Sequence, residues 1–442
     1  MAGNASKKLN VVQLGFSVAF EDSDHKNFAG HHLPRWRDWD GGQIGGQPSW
    51  LQPRDIPKDP LLCKECQEPL SFICQLYAPA DDVTKQAFHR SLYVFGCPNI
   101  QCAKSTTGSI RVLRTQLPKE NPFYPDEDDE TWAMHLPEAW DVKLCQVCSQ
   151  RGHGKCPIQE LEFCGKHHQK EYKKYIFDKQ QQFSKSIDFT FLPSVYADSE
   201  LVVEDEPNQF LSQAEMDEKA DKALFGKSTG EDDDDDDEDK DLEQEDLNKM
   251  VGARESTVSK DSTTMAFFAR LVDKPNVQEQ CLRYLRWPDK TASIEDGAPL
   301  WIRQDYQPTD IPECPYCGAE RRFEFQLMPQ MLHYLLKDHQ IQRAQSEIKQ
   351  KLKTEDMKNA IEKASSIIEQ APKEHIPPAF AEAKDKAVEA VRTQLMEGNN
   401  ELSWGVVAVY TCTASCGELQ VEEGSELGAY REEFAWKQPS LD

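Results

Sequence analysis

At 442 residues the chain has room for two or three domains. A hydrophobic fraction of 38% beside 29% charged residues fits a soluble protein with large solvated segments, and no apolar run is long enough to span a bilayer. The net charge of −26 argues against nucleic-acid binding by bulk electrostatics, because such a field repels phosphate and attracts basic partners.

Met1 to Asn10 is polar and lacks the apolar stretch of a secretory signal, so a cytoplasmic chain is expected. Fourteen cysteines in that reducing setting point to metal binding and not to disulfides. Val11 to Phe20 reads as a first strand. His31 and His32 follow in a polar frame with no cysteine in local reach, which favours a surface role. Gly41 to Trp50 (GGQIGGQPSW) lacks the Lys and Ser or Thr of a phosphate cradle and reads as a tight turn. After Cys63-Lys-Glu-Cys66, the β-branched and aromatic segments Leu70–Tyr77 and His89–Phe95 form a hairpin that brings Cys97 and Cys102 back towards the first pair. Ser109–Thr115 adds a further strand, and an acidic, Pro-containing connection follows from Asn121.

A third cysteine cluster spans 145–168. The segment after Cys164 is helical in pattern, and a Cys and a His four apart share a helix face. Cys164 and His168 can therefore meet an ion gripped by Cys145 and Cys148. The ligands left over (His153, Cys156 and His167) do not complete a second set, so one ion is expected here. From 195 to 262 the chain is poor in apolar residues. Between Asp198 and Lys249 it carries 22 acidic and 5 basic residues, and it is expected to be disordered. Met265–Trp287 reads as two short helices broken by Pro275, the second being QEQCLRYLRW. An Ala-, Glu-, Lys- and Gln-rich helical insertion at 330–398 separates Cys314-Pro-Tyr-Cys317 from the strand at Trp404–Val409 and from Cys412 and Cys416. Tyr430–Trp436 is a short aromatic strand or helix.

Part of the chain is written twice. Gly46, Pro48, Trp50, Cys63, Cys66, Phe72, Gln75 and Leu76 recur 251 positions later as Gly297, Pro299, Trp301, Cys314, Cys317, Phe323, Gln326 and Leu327. The expected architecture is mainly β with α insertions (α+β). It comprises an N-terminal unit (11–135), a small zinc finger (140–180), an acidic linker (195–262) and a C-terminal unit (263–442), the two units being related and facing each other across a pseudo-two-fold. Three zinc sets fall out: Cys63, Cys66, Cys97 and Cys102; Cys145, Cys148, Cys164 and His168; Cys314, Cys317, Cys412 and Cys416. Closed four-ligand sets are structural, about three ions per chain, and burial is expected for Cys74, Cys156 and Cys281. No G-x-S-x-G, P-loop or H-E-x-x-H motif occurs, and each C-x-x-C has a remote partner pair, so no catalysis is expected.

LGF at Leu14–Phe16, GGQPSWL at Gly45–Leu51, SLYVFGCPN, RYLRW, CPYCGAERRFEFQLMPQ and SWGVVAVYTCTASC together resemble the programmed cell death protein 2 family. The acidic linker and weak middle finger look closest to its programmed cell death protein 2-like branch, with the yeast protein named for accumulation of small-subunit rRNA precursor. The middle cluster is similar to a MYND finger but matches only one of its two zinc sites. The resemblance implies a monomeric, cytoplasmic chaperone for one small-subunit ribosomal protein, the universal fifth protein of that subunit. Its basic N-terminal extension would be shielded until small-subunit assembly, without direct contact to nucleic acid or membrane. The alternative is a zinc-finger scaffold in transcription or apoptosis signalling.

Overall fold

The computed structural model describes residues 11–20, 41–124, 141–155, 161–179, 194–206, 279–336 except 295, 402–417 and 428–440, with a few positions between 263 and 270. In chain order the strands are β1 (Gln13–Val18), β2 (Gln43–Ile44), β3 (Ser71–Tyr77), β4 (His89–Gly96) and β5 (Ile110–Leu117). The finger supplies β6 (Gly154–Lys155), β7 (Glu162–Phe163) and the helix α1 (Lys166–Lys179). Then come β8 (Ser199–Asp205), β9 (Leu282–Tyr284), β10 (Arg321–Leu327), β11 (Val406–Cys412) and β12 (Arg431–Gln438).

Ten strands close one antiparallel barrel in the order β1-β8-β2-β3-β4-β5-β12-β11-β10-β9, while β6 and β7 form a separate two-stranded sheet. The two halves do not build separate sheets, as the sequence reading expected. The meander β2–β5 and the meander β9–β12 are joined at two seams. At one, β5 pairs with β12 through Arg114↔Arg431, Leu113↔Glu432 and Val112↔Glu433. At the other, β1 and β8 pair with each other, β1 continues to β9, and β8 continues to β2. Each of these strands thus precedes one half in sequence and completes the other half in space. One apolar core draws on both, with Ile73, Leu92 and Val112 beside Phe325, Val407 and Ala435.

The written repeat has a structural counterpart at the same offset of 251. The register of β3 slips at Ile73 and that of β10 at Glu324. Gln75 Oε1 accepts from the Ser49 amide at 2.8 Å, as Gln326 Oε1 does from the Leu300 amide at 2.7 Å. Gly46 and Gly297 both take positive φ, +65° and +94°, where a Cβ would crowd the chain.

Two expectations are corrected. The segment QEQCLRYLRW contains strand β9 and not a helix, and the acidic linker starts later than 195, because Ser199–Asp205 is strand β8. The insertion is helical over 330–336, and the rest of it lies outside the described residues, as do His31, His32, Cys156 and the acidic run 231–241.

Candidate metal centres

All three C-x-x-C pairs sit on the same backbone turn. The amide of the first cysteine donates to the carbonyl five residues on, in Cys63→Glu68 (2.9 Å), Cys145→Gln150 (2.7 Å) and Cys314→Ala319 (2.8 Å). The residue four on donates back to that cysteine's carbonyl, in Gln67→Cys63 (3.0 Å), Ser149→Cys145 (2.9 Å) and Gly318→Cys314 (2.9 Å). The turn needs positive φ at that fourth residue, and the chain places Gln67 (62°), Ser149 (52°) and Gly318 (72°) there. Such a knuckle points two sulfurs to one side.

The second pair in each half follows a long barrel strand. Cys97 succeeds β4, and Cys102 ends a short 3-10 turn capped by Asn99, whose side chain accepts from the Gln101 amide at 2.9 Å. Cys412 ends β11, and Cys416 follows a turn with Ser415 at positive φ. In the finger, Cys164 lies between β7 and α1, and His168 occupies the first turn of the helix. The two converge as expected, although Cys164 precedes the helix instead of sharing it.

All twelve predicted ligands are gathered in these three sets, each with its ligand atoms within 4.8 Å of one another. In the first, Cys63–Cys102 and Cys66–Cys97 sulfurs are 3.9 and 3.6 Å apart. In the second, Cys148 and Cys164 sulfurs are 3.7 Å apart, and His168 Nδ1 is 3.6 Å from Cys145 Sγ and 3.0 Å from Cys164 Sγ. In the third, the Cys314–Cys416, Cys317–Cys412 and Cys412–Cys416 distances are 3.6, 3.5 and 3.8 Å. A tetrahedral zinc with bonds of about 2.3 Å separates its sulfurs by about 3.8 Å, whereas a disulfide would draw them to about 2 Å. The sets are geometrically suited to a metal ion.

Within each set the ligands perturb one another. Burial, then neighbouring sulfurs, push Cys97 and Cys102 up, Cys102 to about 11, while Cys66, though burial opposes it, is held below its ordinary value by the Glu68 backbone and the neighbouring sulfurs. His168, though burial opposes it, is held up to about 10 by Cys145 and Cys164, the mark of a ring facing sulfur anions. His153 and His167 face carboxylates instead: His153 Nε2 is 4.0 Å from Asp59, and His167 Nδ1 is 3.5 Å from Glu68. Cys74 and Cys281 are buried in the barrel core.

The finger is docked through its knuckle. Trp50 Nε1 donates to the Ser149 carbonyl at 2.7 Å, Gln47 Nε2 to the Val147 carbonyl at 2.9 Å, and the Leu61 amide to Gln150 Oε1 at 2.8 Å.

Buried charges beside the two barrel centres escaped the sequence reading. Arg114 on β5 reaches across the seam to the third set, donating to the Cys416 carbonyl (2.7 Å) with its Nη2 3.9 Å from Cys416 Sγ. Its Nε pairs with Glu433 at 2.7 Å, and Glu433 also takes Arg321 at 3.1 Å. In the opposite direction, Lys437 on β12 donates from Nζ to the Cys102 carbonyl (2.9 Å) at the first set. Burial pulls that ammonium down to about 8, while the Cys97, Cys102 and Cys63 sulfurs pull it back up. Their only sequence signal is a charge inside a strand otherwise fit for a core.

Comparison with known proteins points one way. The models for Programmed cell death protein 2, N-terminal domain, and for the C-terminal domain of the same protein match residues 11–131 and 261–367. Programmed cell death protein 2 from Bos taurus is 28% identical over 461 residues, covering 99% of each chain, and the Mus musculus protein is 28% identical over 450 residues, covering 98% of this chain and 97% of that one. Programmed cell death protein 2-like from Mus musculus is 25% identical over 315 residues, 67% of this chain and 80% of that one, so the expected leaning towards the -like branch is not seen. No solved structure matches the chain significantly. With both of that family's domain models matching in order and relatives aligned nearly end to end, the chain belongs to the programmed cell death protein 2 family.

Proposed function

We propose that this chain is a non-catalytic binding protein, stapled by three structural zinc ions, that chaperones a newly made basic protein of the small ribosomal subunit. The client is the universal fifth protein of that subunit, held as a 1:1 complex in the cytoplasm and released to subunit assembly. Zinc suits the sites because each offers four sulfur or imidazole ligands at tetrahedral spacing, with no fourth position left for water or substrate. Two of the centres belong to a duplicated unit, a reading supported by the shared bulge, glutamine bracket and knuckle.

The observation that carries the client assignment is the charge of a family member with no catalytic motif: −26 overall, concentrated around 231–241. Such a field captures and shields a cationic, aggregation-prone segment and competes with RNA for it. The scaffold reading has less support, because the middle finger directs its knuckle backbone towards the barrel.

Affinity capture of the full chain from translating cells tests the assignment. Recovery of the ribosomal protein, with its mRNA if capture is co-translational, is the expected result. A catch of transcription factors without ribosomal protein refutes it.

A further inference from the structure

The two barrel centres differ from the finger in what surrounds them. Four thiolates around a divalent ion leave a doubly negative unit, and burying it requires a compensating positive charge nearby. At each barrel centre a buried cation arrives from the other half. At the first set the cation is Lys437, which is 3% exposed. Its ammonium donates to the Cys102 carbonyl and forms no ion pair with a carboxylate among the described residues. A lysine buried this deeply without an anion is costly, and the sulfur cluster to which its hydrogen-bonded residue belongs, with the Glu65 carboxylate beyond it, supplies the negative charge it faces. Its backbone amide also donates to the Thr106 carbonyl at 2.7 Å, fixing the strand against the Cys102 loop.

At the third set the cation is Arg114, whose side chain is fully buried. Glu433 lies between Arg114 and Arg321, so two guanidiniums share one carboxylate and a positive charge is left over beside Cys416. Gln116, also on β5, grips the same loop through the Ser415 carbonyl (2.8 Å) and the Gly417 carbonyl (3.0 Å). The Cys412 amide donates to Glu433 at 3.2 Å, tying that carboxylate to the sulfur loop.

We propose that Lys437 and Arg114 are reciprocal counter-cations: the negative charge of each four-sulfur centre built on one half of the barrel is partly offset by the last strand of the other half, and each metal thereby holds the β5–β12 seam closed. The inference rests on the zinc reading above and adds to it a crossed dependence. Removing the charge on β12 weakens the metal site of the first half, and removing the charge on β5 weakens that of the second. Partners outside the ligand set commonly alter metal affinity by about 10- to 100-fold, and an effect of that size is expected here.

The test uses the full zinc-loaded chain, a competing chelator and a thiol-alkylating reagent, with each cysteine followed by mass spectrometry. In K437M, Cys63, Cys66, Cys97 and Cys102 should become reactive about 10- to 100-fold faster, with Cys314, Cys317, Cys412 and Cys416 keeping the wild-type rate. R114M should give the converse, and K437R should restore protection. Cys74 and Cys281, buried in the core and outside every set, report global opening. If K437M leaves its four target cysteines at the wild-type rate, the proposal is overturned. Should K437M expose Cys74 and Cys281 as well, the pair K437R and K437Q decides: faster loss in K437Q supports the charge role, and equal rates overturn it. A wild-type chain that carries no zinc overturns the metal reading and this inference together, whereas a zinc-loaded chain indifferent to K437M overturns the inference alone.

Discussion

Glu324 sits at the β10 bulge, where the other half of the barrel has Ile73, and this replaces a core hydrocarbon by a buried charge. Its carboxylate and the Arg90 guanidinium have fully buried side chains and form a two-pronged pair, Nη1 to Oε1 at 2.6 Å and Nη2 to Oε2 at 2.8 Å. Tyr284 donates to Oε1 at 3.2 Å, and Thr411 donates to Oε2. Glu324→Gln keeps the shape, removes the charge and turns one acceptor into a donor facing donors. Two charge-assisted hydrogen bonds lost at about 1.5–3 kcal/mol each, with Arg90 left as an uncompensated buried cation, give a cost of about 3–5 kcal/mol. Urea unfolding followed by tryptophan fluorescence, with zinc held constant, measures it. The double variant R90M/E324M removes both charges and should recover most of the loss, since apolar replacement of a whole buried pair is often neutral or better. If E324Q costs under about 1 kcal/mol, or the double variant is no more stable than E324Q, the pair is not what ties β4 to β10 through the core.

Further outcomes follow from the same geometry. Gln67→Gly should stabilise the chain by about 0.5–1 kcal/mol, because glycine accepts the positive φ of the knuckle without a Cβ penalty, and G318A should cost about 1 kcal/mol; equal and negligible shifts in melting temperature would count against the shared turn. Burial opposes ionisation of Glu432, but Arg111 and Lys64 hold its carboxyl below the ordinary range. A depressed carboxyl stabilises above the unfolded value of about 4.3, and that contribution disappears as pH falls through the folded value. The stability gap between wild type and E432Q, about 1 kcal/mol near neutrality for a partly exposed pair, should therefore close in acid, and a gap constant with pH would contradict the assignment. Deleting 231–241 should lower affinity for the basic client and flatten its salt dependence; unchanged affinity and slope would make that segment a tether.

What the sequence made legible was the local chemistry. Cys63-Lys-Glu-Cys66 followed by SFICQLY gives a knuckle feeding a strand, because apolar and β-branched residues resume at once after the turn. The strands it hid are those whose identity depends on a distant partner. Leu282 of β9 and Leu285 just after it have helical spacing, yet Arg283 is buried because its guanidinium reaches the Ala298 carbonyl at 2.7 Å in a loop that local periodicity does not register. In β8, Leu201 is buried while Glu200, Glu204 and Asp205 are exposed, and the acidic surroundings masked a short amphipathic strand. Arg114 and Lys437 were invisible for a related reason: a charge within a strand says nothing of its partner when that partner lies some 300 residues away.

The exchanged strands also explain how so acidic a segment can be inserted in the chain between two strands of a closed barrel. Gln13 of β1 pairs with Asp205 on one side and with Tyr284 on the other, so the chain that leaves β8 returns to the barrel one strand away. Closing a loop between nearby ends costs only about 0.6 kcal/mol more for each doubling of its length, which lets the intervening segment vary in length and charge without straining the sheet. Without that return, neither half could be completed. The meander β2–β5 alone would expose an unpaired edge at β2 and another at β5, and it would offer one face of a core that needs Phe325, Val407 and Ala435 from the other half. The two halves read in the sequence therefore share one closed sheet, and the charged segment joins the two strands that flank β1, where one half of the barrel passes into the other.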